Sequence, residues 1–214
     1  MSNIRKNIQF LAFLPIPFSV IFGNTEKVLA EYEMSLDNRY PEKFVNEVFK
    51  NNILLNLAYL DGKVTSPKDI KWDEVTKPFK YEFKLDPNKT FAFHEDVEEK
   101  YKDSLVKTTN AHFNAQEGFK TDGYLFGDGV CHLASLINIV AQKAGLDVKA
   151  PTSHDFAQIP DIPKEYGVSI YSNPYAKGSN AQQNLYIRNN KGKPVTFRFE
   201  YQDNKVKVSI LESI

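Results

Sequence analysis

One short run gathers the residues that could do chemistry. "GDGVCHLASLINIVAQKAG", Gly127 to Gly145, holds the single cysteine, Cys131, and directly after it His132, one of four histidines. Leu133, Leu136, Ile137, Val140 and Ala141 then recur at helical spacing. The pattern predicts a helix that opens at Cys131 and stops at Gly145, since glycine is a common residue just past a helix end. Free N–H groups and the helix dipole at such an opening stabilise an anion. A thiol placed there is expected to have a lowered pKa, which makes it a better nucleophile or ligand.

A nucleophile needs a base. His132 is adjacent but points about 100° away round a helix, so it is not expected to share a cleft with the thiol. His154, in the loop "PTSHDFAQIPDIPKEYG", is the better partner for Cys131. The intervening helix, turn and short strand can carry it back over the helix opening. Asp155 or Asp161 could then orient its ring, the third role in such triads. N–H groups near Cys131 and His132 would hold an oxyanion. Asp128 is expected to cap the helix, and its charge would raise the thiol pKa. Gly127 and Gly129 suit a tight turn or a substrate backbone passing close. Ser135 lies about one turn beyond Cys131, on roughly the same face. Gly127, Gly129, His132 and Ser135 are therefore the substrate-binding candidates. His94 and His112 have no evident partner.

These residue types leave four readings open. The cysteine is a small buried apolar residue. Or Cys131 and His154 form a catalytic pair. Or Cys131, His132 or His112, and His154 hold a metal, although their spacing matches no standard zinc pattern and no metal or cofactor is assigned. Or the region is a binding pocket without chemistry, contacting its ligand through the aromatic loop from Gly118 to Phe126.

The rest of the chain must position these residues. "AEYEMSL", Ala30 to Leu36, alternates as a strand does. Asp37 and Asn38 look like caps, Pro41 suits a first turn, and Phe44, Val45, Val48, Phe49, Ile53, Leu54 and Leu57 mark a long helix that stops near Gly62. "KYEFKLDPNKTFAFHED" predicts a hairpin turning at Asp86–Lys89. Glu95 to Lys107 is charged and predicts a surface helix. A long loop leads to Gly127. After the central helix come five strand candidates: "LDVKA", "VSIYS", "NLYIRN", "PVTFRFEYQ" and "KVKVSILES". The last two are expected to pair as a hairpin. Helices early, strands late and no regular alternation favour an α+β fold: an N-terminal helical part, and a mainly antiparallel sheet carrying the Cys131 helix.

Composition narrows the functional classes. The 214 residues carry 27 basic and 27 acidic side chains, so nothing suggests bulk attraction to nucleic acid or an anionic membrane. One cysteine excludes an internal disulfide framework. Sixteen Phe and eleven Tyr supply a heavy aromatic load suited to strands and a filled core. At the N-terminus, Arg5 and Lys6 precede an apolar run from Phe10 to Phe22, with small residues at Val28 and Ala30. That is the order of a secretory signal. Residues 1–30 are therefore expected to be a signal peptide or membrane tether, and 31–214 a single extracytoplasmic domain. If residues 1–30 instead form an arm packed on the domain, the protein is cytoplasmic.

The central stretch, "GDGVCHLASLINIVAQKAGL", resembles the G-G-G-[VI]-C-Q-[VL]-S-[ST] segment and following helix of the VanW-like family. "HFNAQEGFKTDGYLFGDGVC" is similar to that family's E-x-G-[YF]-K lead-in, and "SHDF" falls where the family has H-x-H-S. The C-terminal "NLYIRNNKGKPVTFRFEYQDNKVKVSI" and the early "NRYPEKFVNEVFKNNILLNLAYLDGKVTSP" resemble its closing strands and opening helix, so the likeness runs from about residue 35 to 214. There are departures. His132 stands for glutamine, Ala134 for serine, Asp128 for glycine, Thr152 near the first histidine, and Gly167 for an aspartate. The resemblance implies a bacterial cell-envelope setting and a link to vancomycin-resistance clusters, and it supports pairing Cys131 with His154. It supplies no reaction. A cysteine opening a helix with a histidine further on is also the layout of papain-like peptidases, an analogy of arrangement alone. The expected function is action on a peptide or cell-wall-peptide amide. The alternative is non-catalytic binding of a cell-wall fragment or protein partner.

Overall fold

Two sheets and a central helix build the molecule, described by a computed structural model over residues 26–214 apart from 125, 174 and 176. In chain order the elements are β1 (Glu26–Ser35), α1 (Lys43–Asp61), α2 (Trp72–Val75), β2 (Phe79–Leu85), β3 (Thr90–Ala92), β4 (Leu105–Lys107), α3 (Val130–Lys143), β5 (Asp147–Lys149), α4 (Lys177–Asn180), β6 (Tyr186–Arg188), β7 (Val195–Gln202) and β8 (Lys205–Ser213). The first sheet has the order β1-β8-β7-β2 and is antiparallel throughout. The second has the order β4-β3-β6-β5, with β3 and β4 parallel. The fold is α+β, as its pattern predicts.

Alternation explains the first sheet. Phe197, Phe199 and Tyr201 of β7 turn inward, while Arg198 and Glu200 turn outward. Phe83 of β2 lies opposite Phe197, and their rings stack at 4.9 Å. On the outer face Arg198 bonds Glu82 and Glu26, tying three strands together. The β7–β8 hairpin forms as expected, turning at Asp203 and Asn204, both with positive φ.

Helix α1 ends at Gly62, which takes the left-handed conformation and donates to the Tyr59 carbonyl. It starts at Lys43, not at Asp37 or Asn38. Those residues precede it in a bend where Asn38 bonds Arg39 and Asp161. Helix α3 is buried along most of its length and packs on β1 and β8 of one sheet, β5 of the other, and α1. Gly145 follows it with φ 71°.

Three expected elements differ. The turn at Asp86–Lys89 forms, but β3 does not return along β2. Asn88 donates to the Asn189 carbonyl, and β3 pairs with β6, so the turn passes the chain from one sheet to the other. The hairpin pattern arises because both strands carry aromatic residues at alternate positions. The charged stretch from Glu95 to Lys107 is not a helix. It forms a 3-10 turn over Glu99–Ser104 and then β4. It lacks an apolar helical stripe, and Tyr101 instead stacks on Tyr186 at 4.3 Å. "VSIYS" makes only a single bridge, Val168 to Ser153. Its Ile170 backbone bonds the Cys131 sulfur instead of a neighbouring strand.

Residues 1–25 of the expected signal segment lie outside the described residues. Residues 26–30 belong to β1, where Val28 pairs with Leu211 and Ala30 with Ile210. Among the described residues no helix is long and apolar enough to cross a membrane.

Candidate functional site

The mouth of α3 opens on a cavity of about 460 Å³. Five regions of chain form it: the bend before α1, the α1 face at Phe49, Tyr124 with the loop and helix start from Phe126 to His132, His154 with Phe156–Gln158, and the segment from Ile170 to Ser172. His112, Phe113 and Asn114 close one side. Tyr40, Phe126, Phe156 and Tyr171 line it while remaining substantially exposed, so the rim is aromatic.

Glycine explains how the helix mouth reaches this place. Gly129, the residue before α3, has φ 96°, and a Cβ there would stand 2.7 Å from the Phe49 carbonyl oxygen. The start of α3 thus rests directly on the α1 backbone. Gly127 has φ 82° and would bring a Cβ equally close to Phe113. Both glycines line the cavity, but their immediate role is close backbone packing. Buried Asn52 of α1 fixes the loop from the other side. It donates to the carbonyls of Lys120 and Asp128 and accepts from the Lys120 amide. Asp128 does not cap α3, since Gly129 occupies the cap position. Its carboxylate accepts from the Asp122 amide, and burial together with the Asp122 charge pushes its pKa up to about 6.

Cys131 and His154 both line the cavity. The thiol, however, donates to the Ile170 carbonyl at 3.6 Å and accepts from the Ile170 amide at 3.4 Å. Burial pushes its pKa up to about 11, with the Asp128 charge adding to the rise. Desolvation is the largest influence on the thiol and acts against the lowering expected from the helix opening. The His132 amide donates to the Gly129 carbonyl, so it is not a free oxyanion donor.

His154 is held in one tautomer. A carbonyl can only accept, so the 3.1 Å contact with Ala157 places a proton on Nδ1 and leaves Nε2 with its lone pair. Burial lowers the ring's pKa, keeping it neutral. The Ala157 carbonyl thus occupies the orienting position expected for Asp155 or Asp161. Asp155 is exposed. Asp161 instead forms an ion pair with Arg39 at 2.5 Å. Gly167 has a steric reason: a Cβ there would meet the His154 carbonyl oxygen at 2.7 Å. Ser135 is fully buried beneath the site, donating to the Cys131 carbonyl and accepting from the Val168 amide.

His132 does share the cleft. Its ring lies 6.2 Å from that of His154 and 5.0 Å from that of Phe49. Burial lowers its pKa to about 3, and repulsion from Arg39 and from any proton on His154 adds to the effect. Its Nδ1 is buried without a hydrogen-bond partner. Arg39, which sequence reasoning missed, also lines the cavity. Its terminal nitrogens bond Asp161, Asn38, Met34 and the Pro160 carbonyl, while Nε has no partner. Ser172 contributes a third buried polar atom without a partner, Oγ. His112, also on the cavity wall, lies between Glu117 and Glu95. Burial opposes its charge, but the two carboxylates prevail and its pKa rises. Among the described residues no group of three metal-ligating side chains is arranged to hold an ion.

A family model described as "VanW like protein" matches residues 81–211, more than half of the 214-residue chain. The match begins within β2, so Arg39, Tyr40, Phe49 and Asn52 lie outside it. No curated protein and no solved structure matches.

Proposed function

The chain belongs to the VanW-like family, and from that premise we propose that it is a cell-envelope binding domain whose cavity holds a fragment of the cell wall. The observation that carries the reading is the cavity's composition. An aromatic rim of Tyr40, Phe126, Phe156 and Tyr171 surrounds a floor with buried, unpartnered polar atoms on Arg39, His132 and Ser172. Apolar walls with a few convergent polar groups are the usual make-up of a ligand site. An envelope location, with residues 1–30 as a leader or tether, is part of this proposal, as is a cell-wall peptide or peptidoglycan fragment as partner. Titration with soluble peptidoglycan fragments, followed by calorimetry, tests it. Phe156 is mostly exposed, so Phe156→Ala leaves the fold intact and should weaken binding by about tenfold. Equal binding by both proteins, or none by either, sinks the reading.

One observation favours a second reading, in which Cys131 and His154 cleave or transfer a peptide amide. Both line the same cavity, and the His154 Nε2 lone pair has no hydrogen-bond partner among the described residues. In this reading Cys131 is the nucleophile and His154 the base, and bound substrate must first displace the thiol from Ile170. The test is thiol alkylation across pH, in wild type and His154→Ala. The thiol environment predicts that wild-type reactivity keeps rising to at least about pH 10. A plateau below about pH 8.5 that moves upward in His154→Ala would instead establish an activated pair.

A further inference from the structure

The charges around the cavity bear on what its floor can recognise. Among the described residues Arg39 is the only lysine or arginine on its wall, and the Asp161 carboxylate already pairs with it. Asp128 is the only acidic residue on the wall among the described residues, and a carboxyl with a pKa near 6 is mostly ionised at neutral pH. His112 is bracketed by Glu117 and Glu95, while burial keeps His132 and His154 neutral. A carboxylate ligand would therefore find Arg39 already paired with an acid and His112 held between two, and it would face Asp128. The unpartnered atoms ask for a neutral group of mixed character. Arg39 Nε can only donate and Ser172 Oγ donates or accepts; beside them the Nε2 of His154, left with its lone pair by the Ala157 contact, accepts.

Resting on the binding reading, we propose that the floor of the cavity recognises a neutral secondary amide, and that the apolar neighbours of that amide lie against the aromatic rim. Its N–H donates to His154 Nε2, and its carbonyl accepts from Arg39 Nε or Ser172 Oγ once a small side-chain shift uncovers them, since neither atom has exposed surface here. Burial of the floor makes each such bond matter, because a buried polar group without a partner is costly. The same group occurs in acylated amino sugars and in peptides, and the two sources are separable by experiment.

Three probes suffice: the disaccharide of N-acetylglucosamine, the blocked peptide N-acetyl-Ala-Ala-amide, and its free acid, N-acetyl-Ala-Ala. Binding is followed by long-range proton–nitrogen spectra of the four imidazoles, with His132→Gln and His154→Gln assigning two of them. At least one neutral probe should move the nitrogen resonances of His154, and which one does so identifies the source. The free acid should bind at least about fivefold more weakly than the blocked peptide at neutral pH, and Asp128→Asn should narrow that gap. A free acid that binds as well as the amide overturns the inference while the binding reading stands. So does a neutral probe that binds without moving the His154 ring. If neither these probes nor peptidoglycan fragments bind, both fall together.

Discussion

At the scale of single residues, desolvation overrides position. Cys131 sits where a helix should activate it, yet its thiol is enclosed and bonded to Ile170, and its pKa rises to about 11. Sequence can place the residue and its helix start, because both are local. It cannot supply the burial, which comes from Ile170 and from a segment that reads as a strand. Arg39 is illegible for a similar reason: a lone arginine in a polar stretch carries no sign that it will be buried against Asp161. His132 leads to a prediction. Its folded pKa of about 3 lies below the ordinary 6.5, so the unfolded chain takes up the proton first. Its contribution to stability is complete above pH 6.5 and is lost as pH falls from there toward 3. Wild type should therefore lose up to about 1 kcal/mol per pH unit across that window on this residue's account. Denaturant unfolding from about pH 7 to about pH 4 checks this. The acid slope should be shallower in His132→Gln, and an unchanged slope would contradict it.

At the scale of elements, long periodicity is legible, and pairing decided at a distance is not. The α1 and α3 stripes and the β7–β8 alternation each span several turns or pairs, so their local signal matches their final partners. The turn at Asp86–Lys89 is a genuine turn, but Asn189, about a hundred residues away, decides which sheet receives β3. The contact between α1 and α3 is equally hidden, since a glycine before a helix looks like any turn residue. Its consequence is testable. In Gly129→Ala the new methyl must stand against the Phe49 backbone, and φ 96° is strained for any residue with a Cβ. Backbone atoms cannot swing aside as a side chain can, so the helices must separate. Loss of about 2–4 kcal/mol in chemical denaturation is expected. Gly62→Ala, also at positive φ but with open space around it, should cost only about 1 kcal/mol. If the two variants are equally destabilised, the close approach of α1 and α3 is not what fixes the site.

At the scale of the whole molecule, the first sheet joins the early chain to its last strand. β1 is an edge strand paired only with β8, and its last residues lead into the bend that carries Arg39. Met34 in β1 contacts the Arg39 guanidinium, and the Ser35 amide donates to Asp161. The cavity floor therefore hangs from the same strand whose first residues overlap the expected signal cleavage point at Ala30. A chain starting at Glu31 would lose the pairs of Glu26, Lys27, Val28 and Ala30 with β8. It would also lose the Glu26 partner of Arg198. Unpaired β8 backbone at the new edge is a template for association. A chain starting at Glu26 keeps all of these. The longer chain should associate less than the shorter one and melt several degrees higher, a shift that about 1–2 kcal/mol produces in a domain of this size. Comparing the two by calorimetry and light scattering decides the matter. Equal melting would mean that the strand's first half is dispensable, and that a mature chain beginning at Glu31 keeps its cavity intact.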